Sequence, residues 1–261
     1  MADAFFLPLG DGRFQPTAHT AGPWNPDAQH FGPPSALLVR ALEGVEGAQG
    51  KQLARVTVEI LGPAPLTELT VSAGLDRPGR SVELLSAELR DGSRTVARAS
   101  AWRISTSDTD EITANLAEPL RPLPDDAPEA QWPEGWHGGY LEAMELRAVR
   151  GGPDQPGACA VWGRPRVELV DGEKISPLQR LFTFADSGNG VSNFLDPRRW
   201  WFINTDLTVH LVRTPEGDWI GLDARTTVGA HGLGTATSTL HDLSGQVGTG
   251  AQALLVRTRA G

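Results

Sequence analysis

Two stretches of the chain alternate apolar and polar positions over four short segments each. The first runs from Arg55 to Ile104 and the second from Asp206 to Leu255. In the first, Val56, Val58 and Ile60 fall on one face and Arg55, Thr57 and Glu59 on the other. In the second, Leu207, Val209 and Leu211 oppose Asp206, Thr208 and His210. Period-two alternation describes strands packed on one side only. Pro, Gly and Asp-Gly turns separate the segments, so each stretch predicts a four-stranded antiparallel meander. The stretches superpose without a gap at an offset of 151: Thr57-Val58 falls on Thr208-Val209, Ala73 on Ala224, Asp91 on Asp242 and Val96 on Val247. Identity is thin, but the matched lengths of the connections argue for a duplicated unit.

One helix is predicted before each meander. The first covers Pro33 to Leu42, with proline suited to the opening turn. The second covers Ser176 to about Leu195, with Ser176 as N-cap and Pro177 at the first helical position. Leu178, Leu181, Phe182 and Ala185 recur at helical spacing, and Gly188-Asn189-Gly190 is expected to distort or end the helix. A further strand, Ala158 to Leu169, opens the second half, with Arg13 to Pro16 as its counterpart. Residues 106–137 are rich in Asp, Glu and Pro and read as a linker, tacked to the surface by Trp132 and Trp136. The expected organisation is an N-terminal repeat at 1–105, the acidic linker at 106–137 and a C-terminal repeat at 138–261. Helix plus meander, twice, has a natural solution. Each sheet wraps its apolar face around its helix, and the two sheets join edge to edge, which removes two exposed edges.

Composition narrows the function classes. The 261 residues include 39% hydrophobic and 21% charged positions, which excludes a wholly disordered chain. With 23 basic and 32 acidic residues the net charge is −9, which excludes a globally basic surface for nucleic acid. A lone cysteine, Cys159, excludes an internal disulfide and a multi-cysteine zinc site, and the six histidines show no metal-binding spacing. Neither a metal nor a cofactor is expected. The N-terminus has no basic segment leading into a long apolar stretch, and no run approaches about 18 apolar residues. The expectation is a soluble cytoplasmic protein with no nucleic-acid or membrane partner. The sequence contains no G-x-S-x-G elbow, no catalytic-cysteine motif and no phosphate loop.

The order helix–meander, acidic linker, helix–meander resembles the TesB-like (thioesterase II type) double-hotdog acyl-CoA thioesterases over nearly the whole chain. The cues are GPPSALLVRALE near the start and, near the end, FINTDLTVHLVR and DWIGLDARTTVGAHGLGTATSTLHDLSGQVGTGAQALLVR. The resemblance implies an α+β double hotdog, two repeats of a helix wrapped by an antiparallel sheet, joined into one continuous sheet. It implies hydrolysis of a fatty or branched acyl-CoA to free acid and CoA, without cofactor or metal. In that family an Asp, a Thr and a Gln of the second repeat activate the hydrolytic water. Carried over by position these are Asp206, Thr227 and Gln252, with Thr226 a rival to Thr227. Ile220, Leu222 and Ala224 share the face of Thr226, and strand parity favours Thr227, which lies opposite.

At offset 151 the trio falls on Arg55, Asp76 and Ala101, which cannot assemble the same site, so one site per chain is expected. Hotdog sites lie at the seam between the halves, close to the other half's helix. Gly32-Pro33-Pro34-Ser35 is then the expected carbonyl-polarising end, although its two prolines remove two N–H donors. Substrate-side residues implied with it are His30, Gly32 and Asp186, a charge set among apolar helix neighbours. The CoA phosphates would meet Arg198-Arg199, Arg213 or Arg225. A homodimer or larger homo-oligomer is left open. Two alternatives stand beside this reading. One is a hotdog enoyl-CoA hydratase or dehydratase, which needs a paired Asp and His that the sequence does not convincingly offer. The other is a non-catalytic acyl-binding hotdog protein.

Overall fold

The computed structural model describes residues 3–259. The first half opens with a hairpin of β1 (Ala4–Gly10) and β2 (Arg13–Pro16). Helix α1 (Gly32–Glu43) follows, then the meander β3 (Lys51–Ile60), β4 (Leu69–Arg77), β5 (Val82–Asp91) and β6 (Arg94–Ser105). The second half begins with α2 (Gly139–Ala143), β7 (Met144–Arg150), β8 (Cys159–Pro165) and β9 (Glu168–Val170). After α3 (Pro177–Ala185) and the single turn α4 (Gly188–Val191) come β10 (Trp200–Asn204), β11 (Asp206–Leu211), β12 (Ile220–Val228), β13 (Leu233–Asp242) and β14 (Gly245–Thr258). Shifted by 151, β4 and β5 coincide with β12 and β13 at both ends. Pairing follows the same shift: Ser86 opposite Ser100 becomes Thr237 opposite Ala251. The repeat read from alternation is therefore a structural repeat.

The strands form one sheet in the order β7-β8-β12-β13-β14-β11-β3-β6-β5-β4-β2-β1-β9, and β10 also pairs with β14. Among the described residues every strand pairing is antiparallel except the short one between β1 and β9. The halves join through β11 and β3, with Val209 opposite Val56. This is the α+β double hotdog. Its sheet encloses α1 and α3, and the core is built where Leu37, Leu38 and Leu42 meet Leu181, Phe182 and Phe184 over Val56, Leu85, Val209 and Leu222. Each large apolar side chain so buried contributes about 1.5–3 kcal/mol. Gly32 lets the helices touch: a Cβ there would lie 2.1 Å from the Thr183 carbonyl oxygen.

Several elements differ from the sequence reading in ways that matter for the site. The long helix expected from Ser176 starts as predicted. Ser176 Oγ accepts from the Gln179 N–H (3.1 Å), and Gln179 Oε1 accepts from the Ser176 N–H (3.3 Å), a reciprocal cap that satisfies two orphan donors. It stops at Ala185, and the chain turns helical again only at Gly188, so Asp186 sits at the break. The expected strand from Ala158 to Leu169 is two strands, because β9 leaves β8 to pair with β1. Trp132 and Trp136, at the end of the linker, pack partly buried against the core, as expected of residues that tack it down. Among the described residues no helix is long and apolar enough to cross a membrane.

Candidate functional site

The trio carried over by position does not assemble. Asp206 and Thr227 lie on the outer face of the sheet. Asp206 Oδ1 accepts from the Ala253 N–H at 2.8 Å, and Thr227 is exposed opposite Thr235. Gln252 lies on the inner face and is buried. Two pairings explain the split. Asn204 pairs with Leu254 and Thr208 with Ala251, so four steps along β10–β11 match three along β14. The extra residue is a β-bulge, which reverses the facing of everything beyond it. Asn204 therefore points inward, and Asp206, two residues on, points outward. On β12 the helix-facing side carries Thr226 and not Thr227, and the Thr226 hydroxyl meets Ser192 Oγ at 2.8 Å.

What gathers on the inner face is Asp186, Asn204, Gln252 and His30. Asn204 Nδ2 donates to Asp186 Oδ1 at 2.8 Å. Gln252 Nε2 donates to the Asp186 carbonyl at 3.0 Å and faces Oδ1 at 3.4 Å, while its Oε1 accepts from the Asn189 N–H at 3.1 Å. These contacts fix the carboxylate and leave Oδ2 without a hydrogen-bond donor among the described residues. Asp186 is only 3% exposed. Burial penalises its charge and pushes its pKa up to about 6, against the opposing pull of the Asn204 and Gln252 donors.

His30 Nδ1 lies 3.4 Å from Asp186 Oδ2. The approach is not an ion pair. Nδ1 already accepts the Gly32 N–H at 3.0 Å, and burial drives the imidazole pKa down to about 3. The ring is neutral and stacks on Tyr140, centroids 3.7 Å apart and planes within 7°. Gly32, expected to polarise the substrate carbonyl, thus has its N–H occupied by His30, and Pro33 and Pro34 have none to give.

His30, Asp186 and Asn204 border a cavity of about 420 Å³ at the seam between the halves, with Gln252 behind Asp186. Trp24, Phe31, Ile60, Leu61, Trp201 and Ile203 make much of its wall apolar, and His30, Asp186, Asn189 and Asn204 are among its polar residues. Sequence reasoning named His30, Asp186 and Gln252 but missed Asn204, which lies two residues before the expected strand start. Its signal was the WWFIN segment, which reads as a strand in its own right. Cys159 is buried and its thiol pushed up to about 12, which keeps it protonated. Arg213 is held by Asp242, with contacts of 2.5 and 2.6 Å, and Arg198 by Asp196 at 3.0 Å. Among the described residues no three His, Cys, Asp or Glu side chains converge as a metal site would need.

Comparison with known proteins agrees with this architecture. Residues 20–104 match the profile of the acyl-CoA thioesterase N-terminal domain, and residues 124–256 that of the acyl-CoA thioesterase C-terminal domain. A hot dog fold protein of unknown function from Alicyclobacillus acidocaldarius is similar in structure, with a TM-score of 0.74 and 19% identity over 99% of this chain and 97% of that one. Acyl-CoA thioesterase II TesB2 from Mycobacterium marinum superposes with a TM-score of 0.67 and 15% identity, covering 98% and 96%. A tesB protein from Mycobacterium avium subs paratuberculosis gives 0.64 and 17%, again covering 98% and 96%. At these identities the structural likenesses establish the fold. Comparison with curated protein sequences found no match. With both halves matched by its two domain profiles, the chain belongs to the acyl-CoA thioesterase family and is an acyl-CoA thioester hydrolase.

Proposed function

We propose that the chain hydrolyses a fatty or branched acyl-CoA in the seam cavity, with Asp186 as general base and Asn204 and Gln252 as the residues that hold it. The reading rests on one observation: Asp186 is a buried carboxylate on the cavity wall with Oδ1 held by two amides and Oδ2 left without a donor. An oxygen so placed can accept a water proton. Its raised pKa, about 6, makes it a stronger base than a surface carboxylate while leaving it ionised at neutral pH. The water oxygen attacks the thioester carbonyl carbon as Asp186 takes the proton. The tetrahedral intermediate then expels the CoA thiolate, which recovers that proton, giving acid and thiol. A thiolate is a good leaving group, since thiol pKa values lie near ~8.5. The apolar walls suit a hydrocarbon acyl chain.

Thiol release from a panel of straight and branched acyl-CoAs tests the reading. Turnover of at least one apolar acyl-CoA is expected, and Asp186→Asn should lower kcat by roughly 10²–10⁴, the usual worth of a general base. No thiol release across the panel, or an Asp186→Asn variant with full kcat, would overturn it. The Asp186–His30 approach also suits a hydratase. Loss of enoyl absorbance on an enoyl-CoA without thiol release would favour that chemistry instead.

A further inference from the structure

We propose that His30 is a catalytic residue of this thioester hydrolysis, donating Nε2–H to the substrate carbonyl oxygen and stabilising the negative charge that develops there. The inference rests on the hydrolase reading of the cavity and assigns the oxyanion donor that reading lacks. The first step is the tautomer. The Gly32 N–H points at Nδ1 from 3.0 Å, and a nitrogen that accepts a hydrogen bond carries no proton. In a neutral imidazole the proton must then sit on Nε2. Burial removes the imidazolium alternative at neutral pH.

The second step is rigidity. The ring lies flat on Tyr140. Tyr140 is itself fixed, its hydroxyl donating to the Thr183 carbonyl at 2.9 Å and meeting Ser187 Oγ at 2.7 Å. Thr183 belongs to α3, one helical turn before the break that carries Asp186, so donor and base are mounted on one frame. The third step is supply. Nε2–H finds no acceptor among the described residues, and the ring borders the cavity. The start of α1 cannot serve directly, because Pro33 and Pro34 lack N–H groups and the Gly32 N–H is taken. His30 relays that end instead. Gly32 N–H polarises Nδ1, the helix N-terminus adds partial positive charge, and Nε2–H becomes the better donor. Preorganised donors of this type stabilise a developing oxyanion without reorganising as the reaction proceeds. No proton leaves His30 in this step.

The test combines ¹⁵N NMR of histidine-labelled protein with kinetics, the His30 signals being assigned by their loss in His30→Gln. An unprotonated Nδ1 and a protonated Nε2 are expected, with no titration between about pH 5 and 9, a window set by the ordinary histidine pKa. On adding a ketone analogue of the substrate, with CH₂ in place of the thioester sulfur, the Nε2 proton should move downfield. In kinetics His30→Ala should lower kcat by roughly 10²–10³ with KM within about threefold, and His30→Gln, which returns an N–H, should recover at least about tenfold of the loss. A proton on Nδ1, or an Nε2 proton indifferent to the ketone, overturns the proposal even if His30→Ala fails to fold. Equal losses in the two variants overturn it as well. Turnover with an indifferent Nε2 proton sinks this assignment alone, whereas absence of turnover on every acyl-CoA sinks the hydrolase reading.

Discussion

Thr208 Oγ1 donates to Thr57 Oγ1 at 3.1 Å across the join between the two halves, and these two residues are each other's repeat equivalents, 151 positions apart. In an antiparallel pair only one position can face its own equivalent. The pseudo-two-fold axis of the molecule therefore passes between these two hydroxyls. The axis also exchanges the two ends of the α1–α3 pair. At one end Asp186 closes α3 beside His30 at the entry of α1. At the other, Glu43 closes α1 beside Ser176 at the entry of α3, with Ser176 Oγ at 3.0 Å and Gln179 Nε2 at 2.7 Å from its carboxylate.

The ends are related by fold and differ in chemistry. Glu43 is engaged by the cap of α3, and the repeat equivalent of Gln252 is Ala101, which has no amide to hold a carboxylate. Titration with a non-hydrolysable S-alkyl-CoA, followed by calorimetry, should give one site per chain. Glu43→Gln should keep kcat within about threefold, because a glutamine can still accept from Ser176 and Gln179. Two equivalent sites, or loss of turnover in Glu43→Gln, would place chemistry at the wrong end.

The bulge between Asn204 and Thr208 makes a sharp contrast between neighbours. Asp206→Asn and Thr227→Ala touch only the outer face and should leave kcat within about threefold. Gln252→Ala and Asn204→Ala each remove a hydrogen bond to Asp186 and should lower kcat by roughly tenfold or more, about 1.4 kcal/mol each. Steady-state kinetics on one acyl-CoA decides. Inactive Asp206→Asn with active Asn204→Ala would return the site to the outer face.

The architecture was legible because it depends on period-two alternation and turn spacing, which survive sequence drift, and the offset of 151 carries the strand bounds with it. Gln252 and Asp186 were legible for different reasons: one from a family pattern, the other as a charge set among Leu181, Phe182 and Phe184. Asp206 lies apart from the candidate site because alternation gives two faces without saying which is inside across a bulge, and a single inserted residue leaves no compositional mark. Thr227 lies apart from the site for a related reason. Parity separated Thr226 from Thr227 correctly, but the site shares the core's face, so the buried member of the pair is the inward one. The His30–Asp186 approach spans the two halves and could not be read from either segment alone.

The pH dependence follows from the same carboxylate. Asp186 acts as base only when ionised, so kcat/KM should rise with pH through about 6 and be lost below it. His30 stays neutral throughout because burial holds its pKa near 3, so no second limb from an ordinary histidine should appear. A pH–rate profile whose acid limb persists unchanged in Asp186→Asn would show that another group supplies the base.

Asp186 should also destabilise the protein it serves. Its native pKa of about 6 lies above the ordinary carboxylate value, so the folded state binds this proton more tightly than the unfolded chain does. The sign is then fixed: the contribution to stability is complete at pH values below the unfolded pKa and is lost as pH rises through about 6. Above that, burying the charge costs up to about 3 kcal/mol, the equivalent of roughly two pKa units. Asp186→Asn removes the charge and keeps the shape. Its Oδ1 can still accept from Asn204 and Gln252, and a neutral amide costs less to bury than an ionised carboxylate. The variant that abolishes turnover should therefore melt higher than wild type at about pH 8, with the gain shrinking toward zero near pH 4, as the ionised fraction of Asp186 disappears. Calorimetric melting at both pH values checks this. A lower Tm for Asp186→Asn at pH 8 would mean that the carboxylate is held by donors stronger than the two amides and that its charge is stabilised, not strained.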